Sequence, residues 1–233
     1  MADRVAGARA VTNKERAELK AFVAAIVAAL LASPSGQSND ALAELRQACD
    51  DLEEDAVFKF GAGTIGTDML TCFDAAYSAG ADVYALGRVR GDVEALAPAT
   101  FHGVVVQQAA IRMCLVEEVR AVASMTISSR TEAQSLLERI TAAFETAEES
   151  ASDMGDPDSY RALVALQAAF VRDLSARSSA LPEIVRYEFA GSMPSLWIAN
   201  RLYGDASRSD EVERENSPRH PAFMPAAGVA LTA

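Results

Sequence analysis

Apolar residues recur every three or four positions along most of this chain, which is the spacing of one buried face of an α-helix. Between residues 39 and 58 one continuous apolar stripe consists of Leu42, Leu45, Cys49, Leu52 and Ala56. A longer segment, from about residue 99 to residue 125, is apolar on two sides, which is typical of a helix at the centre of a bundle. The pattern therefore predicts a mainly α protein.

Short polar motifs mark where these helices begin and end. Thr12 with Glu15, and Ser129 with Glu132, have the Ser/Thr-x-x-Glu spacing of a capping box at a helix start. Pro34, inside a Ser-Pro-Ser-Gly run, ends the first helix. We predict a bundle of six or seven helices over residues 1–180, with helices at 12–31, 39–58, 67–79, 82–96, 99–125, 129–150 and 158–178.

The pattern changes after residue 180, and we place a domain boundary there. The elements predicted beyond it are a strand at 185–189, helices at 195–203 and 207–215, and a strand at 229–231. Gly204 is placed to end the first of these helices. Residues 181–233 are therefore expected to form a small α/β module. Its order of elements resembles a LysM-type module, in which two short helices pack on a two-stranded sheet.

Two runs in this module carry a more specific resemblance. They are Arg-Leu-Tyr-Gly-Asp-Ala-Ser-Arg at 201–208 and His-Pro-Ala-Phe-Met-Pro at 220–225, with the pair Glu215-Asn216 between them. Both resemble the C-terminal region of tailed-phage proteins, related to those of phage Mu, that are called DNA circularisation proteins. The resemblance implies a structural component of the virion, a baseplate protein near the hub of the tail. Its partners would be other tail and baseplate proteins (tube, hub and wedge), with copies of the chain forming a ring. The protein would be in the host cytoplasm during assembly.

The residues that carry the resemblance, together with the single tryptophan, are the candidate partner-binding residues: Trp197, Tyr203, Asp205, Arg208, His220, Pro221, Phe223 and Pro225. The module is expected to fold on a core made of Leu196, Ile198, Leu202, Tyr203 and Phe223. Trp197 interrupts the apolar stripe of its helix, so we expect it to be half exposed, where a Trp can act as an interface anchor. A packed core position for this Trp is the alternative.

Two other functions stay open as alternatives. A LysM-type module suggests peptidoglycan binding, although the loop at 190–195 lacks the acidic residue of the Gly-Asp-Thr type loop that glycan-binding members carry. The family name suggests binding of DNA ends, but the chain has a formal net charge of −12 and no two adjacent Lys or Arg residues. Because such a chain repels a phosphate backbone, we expect no direct nucleic-acid binding.

Candidate chemistry is sparse. The chain has 2 His residues and lacks the common nucleophile, P-loop and zinc-hydrolase motifs. The GxGxxG at 61–66 follows a charged helix rather than a strand, so it predicts a connection between helices and not a dinucleotide site. Cys49, Cys72 and Cys114 are expected as buried thiols, and the apolar run at 21–32 is too short to span a bilayer. We therefore expect a protein that is not an enzyme, with no cofactor, no metal and no membrane contact.

Linear duplex DNA with cohesive ends tests the charge argument. At low salt and micromolar protein, the chain is expected to leave the fluorescence anisotropy of this duplex unchanged, because an acidic chain is repelled by the negatively charged phosphate backbone. A blunt-ended duplex of equal length is the control for end recognition. Micromolar or tighter binding that weakens steeply with added salt would contradict the expectation.

Overall fold

The computed structural model describes residues 12–35, 39–179 and 181–232, and within them it contains ten α-helices and one two-stranded sheet. The expected mainly α architecture is confirmed. The helices before the sheet are α1 (Asn13–Leu31), α2 (Asn39–Glu54), α3 (Ala56–Ala62), α4 (Ile65–Ser78), α5 (Val83–Glu94), α6 (Phe101–Ser124), α7 (Arg130–Asp153) and α8 (Pro157–Ser178). They are followed by β1 (Ile184–Glu188), α9 (Ser195–Tyr203), α10 (Ser209–Asn216) and β2 (Ala227–Leu231).

The chain divides into two compact units. Among the described residues, one is formed by residues within 12–125 and 140–170, and the other by residues within 126–139 and 171–232. This division runs through α7 and α8, so the two ends of each of these long helices belong to different units. The boundary that the sequence pattern places at residue 180, which lies outside the described residues, stays a prediction.

Helix α6 is the central element of the first unit and packs against α1, α4 and α5. Its buried positions form one broad face and include Val106, Ala110, Cys114, Leu115, Ala121 and Val122. The prediction of a second apolar side was wrong, because Val116 and Ala123 on that side are exposed. The neighbouring helices contribute fully buried large side chains such as Phe73 and Leu86. Each such side chain stabilises the fold by roughly 1.5–3 kcal/mol through its removal from water.

Polar contacts hold the starts of α1 and α7. The Thr12 hydroxyl accepts from the amide of Glu15, and the Glu15 carboxylate accepts from the amide of Thr12, so the predicted capping box is present. At α7 the Ser129 hydroxyl accepts from the amide of Glu132. The Glu132 carboxylate, however, accepts from the amide of Ser128. Only one half of this second predicted capping box is therefore formed.

Helix α8 starts with Asp156 at its N-terminal cap and Pro157 in the first helical position, as predicted for this proline. The Asp156 carboxylate accepts from the amide of Ser159 at 3.1 Å and from Nη1 of Arg112 at 2.8 Å. The hydrogen bonds from Ser159, and then the guanidinium of Arg112, lower the pKa of the Asp156 carboxyl to about 2. This carboxylate therefore stays ionised and caps the helix across the physiological pH range.

The helix predicted at 39–58 is two helices, because Asp55 leaves helical geometry at φ −117° and ψ 20°. Lys59 of α3 donates from Nζ to the carbonyl of Asp51 at 2.7 Å, so it satisfies a carbonyl near the end of α2. No Gly or Pro marks this break in the sequence. Eight helices therefore precede the sheet in the described residues, where six or seven were predicted.

The connection predicted at 61–66 is shorter than expected. Gly61 lies inside α3, and Gly66 lies inside α4. Only Gly63, at φ 76°, takes the left-handed conformation and ends α3. Two of the three glycines in this motif are therefore ordinary helical residues.

The three cysteines are buried and are not joined in disulfides, as the sequence predicts. Cys72 donates from its thiol to the carbonyl of Ala48 at 3.2 Å. Burial raises the pKa of the Cys114 thiol well above its usual range. These thiols are therefore packing groups of the first unit.

An ion pair between Arg90 of α5 and Glu118 of α6 lies inside the first unit. Arg90 donates from Nε to Glu118 Oε1 at 2.7 Å and from Nη1 to Glu94 at 2.8 Å. The Glu118 side chain is fully buried, and that of Arg90 is only 11% exposed. Loss of one member of such a pair leaves an uncompensated buried charge, which is strongly destabilising.

The variant Arg90→Met tests this ion pair. We expect it to lower the free energy of unfolding by about 3 kcal/mol, because Glu118 loses its cation in a buried position. Urea denaturation followed by circular dichroism measures the effect. Arg88→Met, an exposed position on the same helix, is the matched control. Equal destabilisation by the two substitutions would show that the buried pair has no special weight.

Candidate functional site in the terminal module

The terminal module, residues 181–232, has the order strand, helix, helix, strand. β1 and β2 pair antiparallel, with Ile184 opposite Leu231 and Glu188 opposite Ala227. Helix α10 packs on α9 and on β2, and a single 3-10 turn, Ala206–Arg208, joins the two helices. The predicted order of elements is present, with each end within two residues of its expected position.

The core of the module differs from the predicted one. It consists of the buried side chains of Tyr187, Ile198, Ala199, Val212, Met224 and Ala230, with Phe189, Met193, Leu202 and Tyr203 partly buried against them. Ile198 is confirmed as a core residue. The expectation was wrong for Leu196, which is 57% exposed, and for Phe223, which is 74% exposed.

Backbone direction explains both corrections. Leu196 lies about 200° around helix α9 from Ile198, since each residue turns the helix by about 100°. Met224 takes the inward position expected for Phe223. Its amide donates to the carbonyl of Met193 at 3.0 Å, and its carbonyl accepts from the hydroxyl of Ser192 at 2.7 Å. These bonds fix the loop so that Met224 points inward and its neighbour remains outside.

The side chain of Asn216 joins α10 to β2. Its Nδ2 donates to the carbonyl of Val229 at 2.7 Å, and its Oδ1 accepts from the amide of Val229 at 2.9 Å. Nδ2 also donates to the carbonyl of Val212 at 2.7 Å. The hydroxyl of Tyr203 accepts from the amide of Leu231 at 3.1 Å. Side chains of both helices therefore bond the outer edge of β2.

Gly228 has no side chain because this joint leaves no room for one. A Cβ added at Gly228 would clash with the side-chain oxygens of Asn216 and Tyr187. The opposite residue in the sheet is Tyr187 itself. The close approach of the two side chains to the backbone of β2 therefore requires glycine at this position.

Three candidate partner-binding residues make internal contacts around the turn between the helices. Gly204, at φ 71°, ends α9 as predicted. Asp205 accepts from the amide of Ser207 at 2.8 Å, and hydrogen bonds from Ser207 lower the pKa of its carboxyl. Arg208 binds the Glu211 carboxylate through two nitrogens and lies 3.9 Å from the centroid of the Tyr203 ring. Tyr203, Asp205 and Arg208 thus hold the turn in place.

The proline-rich loop is bound to the start of α9. The carbonyl of Pro221 accepts from the amide of Ser195 at 2.8 Å, and the Ser195 hydroxyl donates to Glu213 at 2.6 Å. His220 accepts at Nδ1 from the amide of Ala222, and its ring lies 5.9 Å from that of Phe223. Pro225 is exposed. The loop and the first turn of α9 are therefore held side by side.

Large apolar side chains remain exposed on these two segments. Trp197 is 44% exposed, as predicted, with its ring edge-on to Phe189 at 5.2 Å. Leu196 and Phe223 are exposed by more than half. We call these three residues, Leu196, Trp197 and Phe223, the exposed apolar surface. Large apolar side chains exposed on two segments that are hydrogen-bonded to each other make a candidate protein-contact site.

Other kinds of site find little support in the part of the chain that the structure describes. No group of three or more His, Cys, Asp and Glu side chains there has a geometry that could hold a metal ion. Among the same residues, no helix combines the length and the apolar character needed to cross a bilayer. The exposed apolar surface is therefore the candidate site with the clearest physical basis.

No protein-family model matches this chain, and no curated protein matches it. The resemblance carried by residues 201–208 and 220–225 therefore stands on those motifs alone.

The sequence gives no signal for the role of Gly228, and it indicates Asn216 only as part of the Glu215-Asn216 pair and as the end of a helix. Asn216 is the last residue of the short helix α10 and is followed by Ser217 and Pro218. These local signals indicate the end of a helix and give no sign of a contact with a strand 13 residues further along the chain. A contact of this kind becomes visible only in three dimensions.

The variant Asn216→Ala tests the joint between α10 and β2. It removes three hydrogen bonds and leaves the partly buried amide and carbonyl of Val229 without these partners, so we expect the module to lose about 2–3 kcal/mol of local stability. Amide hydrogen exchange at Val229 and Leu231 should become much faster, while exchange in α6 stays unchanged. Asn200→Ala, an exposed position in α9, is the control. Unchanged exchange at Val229 would refute the role of Asn216.

Proposed function

We propose that this chain is a structural component of a tailed-phage virion, a baseplate or hub-proximal tail protein that acts through protein–protein contacts. In this proposal the terminal module is an adapter, and copies of the chain in a ring contact tube, hub and wedge proteins. The resemblance of residues 201–208 and 220–225 to phage DNA circularisation proteins supports the phage assignment. The exposed apolar surface supports action through protein contacts.

The exposure of Phe223 is the observation that carries this proposal. Its side chain is 74% exposed, although the adjacent Met224 is completely buried. The backbone on both sides is bound to the module through the Pro221–Ser195 and Met224–Met193 hydrogen bonds. A partner that covers Phe223 therefore meets an aromatic side chain on a fixed backbone, which reduces the entropy lost on binding. Such preorganised aromatic anchors are typical of interface hot spots.

The candidate residues take two kinds of role in this proposal. Trp197 and Phe223 contact the partner. His220, Pro221 and Pro225 belong to the loop that presents Phe223. Tyr203, Asp205 and Arg208, which lie in the 201–208 motif, support the module from within through the contacts described above. In this proposal the 201–208 motif preserves the fold of the adapter rather than contacting its partner.

A LysM-like identity of the module is part of the same proposal, and the strand, helix, helix, strand order supports it. That order also keeps peptidoglycan binding as a second candidate. The loop between β1 and α9 gives it little help. Ser192 donates its hydroxyl to Met224, and Ser195 donates its hydroxyl to Glu213, so both serines are already engaged within the module. No carboxylate in this loop is available to a sugar.

The variant Phe223→Ser tests the adapter role in a phage that carries this gene. Virions are assembled with the wild-type or the variant chain and purified, and the copy number per particle is measured by quantitative mass spectrometry. Wild-type protein is expected in the particles, with immunogold label at the baseplate end of the tail. The variant should be incorporated roughly tenfold less or worse, because it loses an anchor residue, while its far-UV circular dichroism stays unchanged.

Phe101→Ser is the matched control, because Phe101 is 70% exposed in the other unit and undergoes the same chemical change. It is expected to enter virions normally. Absence of the wild-type chain from virions would overturn the phage assignment. Normal incorporation of Phe223→Ser would overturn the adapter role. Binding of the wild-type chain to purified peptidoglycan, lost in Phe223→Ser, would favour the glycan-binding alternative.

A further inference from the structure

The hydrogen-bonding pattern of the two-stranded sheet shows which backbone groups of each strand face away from the partner strand. Phe189 donates from its amide to the carbonyl of Ala226, and Thr232 donates to the carbonyl of Glu183. In an antiparallel pair, residues alternate between facing the partner strand and facing away. With the observed register, the residues of β1 that face away from β2 are Ile184, Arg186 and Glu188, and those of β2 that face away from β1 are Ala227, Val229 and Leu231.

The outer edge of β2 is already occupied. Asn216 bonds both polar backbone groups of Val229, and Tyr203 accepts from the amide of Leu231. These side chains take the positions that a third strand would need. A further strand therefore cannot add to this edge unless the joint between the helices and the sheet opens.

The outer edge of β1 is different. Among the described residues, no hydrogen bond reaches the backbone amides or carbonyls of Ile184, Arg186 and Glu188. Arg186 and Glu188 are exposed to solvent. The strand contains no proline, and its register with β2 is regular, without a bulge. An open edge with these features is a template for pairing with another strand.

The charged side chains on this edge favour one register when two copies of β1 pair with each other. Arg186 and Glu188 lie on the face of the sheet opposite to Tyr187, because successive side chains in a strand alternate, and Tyr187 is buried in the core of the module. If two copies of β1 pair antiparallel about Tyr187, each Arg186 lies opposite Glu188 of the other copy. Pairing about Arg186 would instead place two arginines directly opposite each other, which is unfavourable.

We propose that the edge of β1 is a self-association site, at which a second copy of this chain adds its own β1 antiparallel and the two modules share a four-stranded sheet. Two reciprocal Arg186–Glu188 pairs set the register. The contact is isologous, since the same strand serves both copies. A five-residue strand buries little area, so the dimer is weak and forms at high local concentration. This inference does not rest on the phage assignment.

Charge reversal on the full chain tests the site. Sedimentation equilibrium at increasing concentration should show a weak dimer of the wild-type chain. Arg186→Glu and Glu188→Arg each place like charges opposite each other, so each variant alone should dimerise roughly tenfold more weakly. An equimolar mixture of the two variants restores opposite charges at both pairs and should form a heterodimer. The double variant R186E/E188R should dimerise like the wild-type chain.

Arg219→Glu is the matched control for Arg186→Glu, because it makes the same change in net charge at an exposed loop position. It should leave the dimer unchanged. Amide exchange of Arg186 and Glu188 should slow as the protein concentration rises, while that of Val229 should not change. A wild-type chain that stays monomeric at millimolar concentration would overturn the proposal. So would a mixture of the two single variants that fails to associate, or a dimer that neither reversal weakens.

Discussion

The two-sided hydrogen bonding between Asn216 and Val229 is the constraint on which the terminal module depends. A two-stranded sheet on its own is marginally stable in water, and this one is completed by the amide of Asn216, which occupies the place of a third strand. Because the same side chain also bonds Val212 within α10, it joins the sheet to the helices. Gly228 is then required at the point where Asn216 and Tyr187 approach the backbone.

Because of this joint, the two edges of the sheet differ in how many of their backbone groups are hydrogen-bonded. The edge of β2 is closed by side chains, whereas the backbone of β1 that faces away from it is not bonded within the described residues. The apolar side chains of the module likewise differ in their burial. Met224 completes the core, and Phe223 beside it stays outside. Open surface therefore lies where the internal contacts of the module do not reach, and both functional proposals concern such positions.

Local chemistry made much of this architecture predictable from the sequence. Interactions within a few residues determine several helix ends. The helix ends predicted from the capping box at Thr12, from Pro157 and from Gly204 are those observed. The break at Asp55 was missed because no Gly or Pro accompanies it. The exposure of Leu196 and Phe223 was missed for another reason. Composition indicates that a residue is apolar, but only the phase of the helix and the bonds of the loop decide which way it points.

The net charge of the whole chain affects how it associates with copies and partners. A chain of net charge −12 repels copies of itself at long range, so random association is suppressed. Short-range contacts have to overcome this repulsion, and they can do so only where opposite charges or apolar groups meet in register. Arg186 with Glu188 and the exposed apolar surface are such places. An acidic protein with a few localised contact sites would associate in a defined geometry when partners or copies are concentrated, and stay dispersed otherwise.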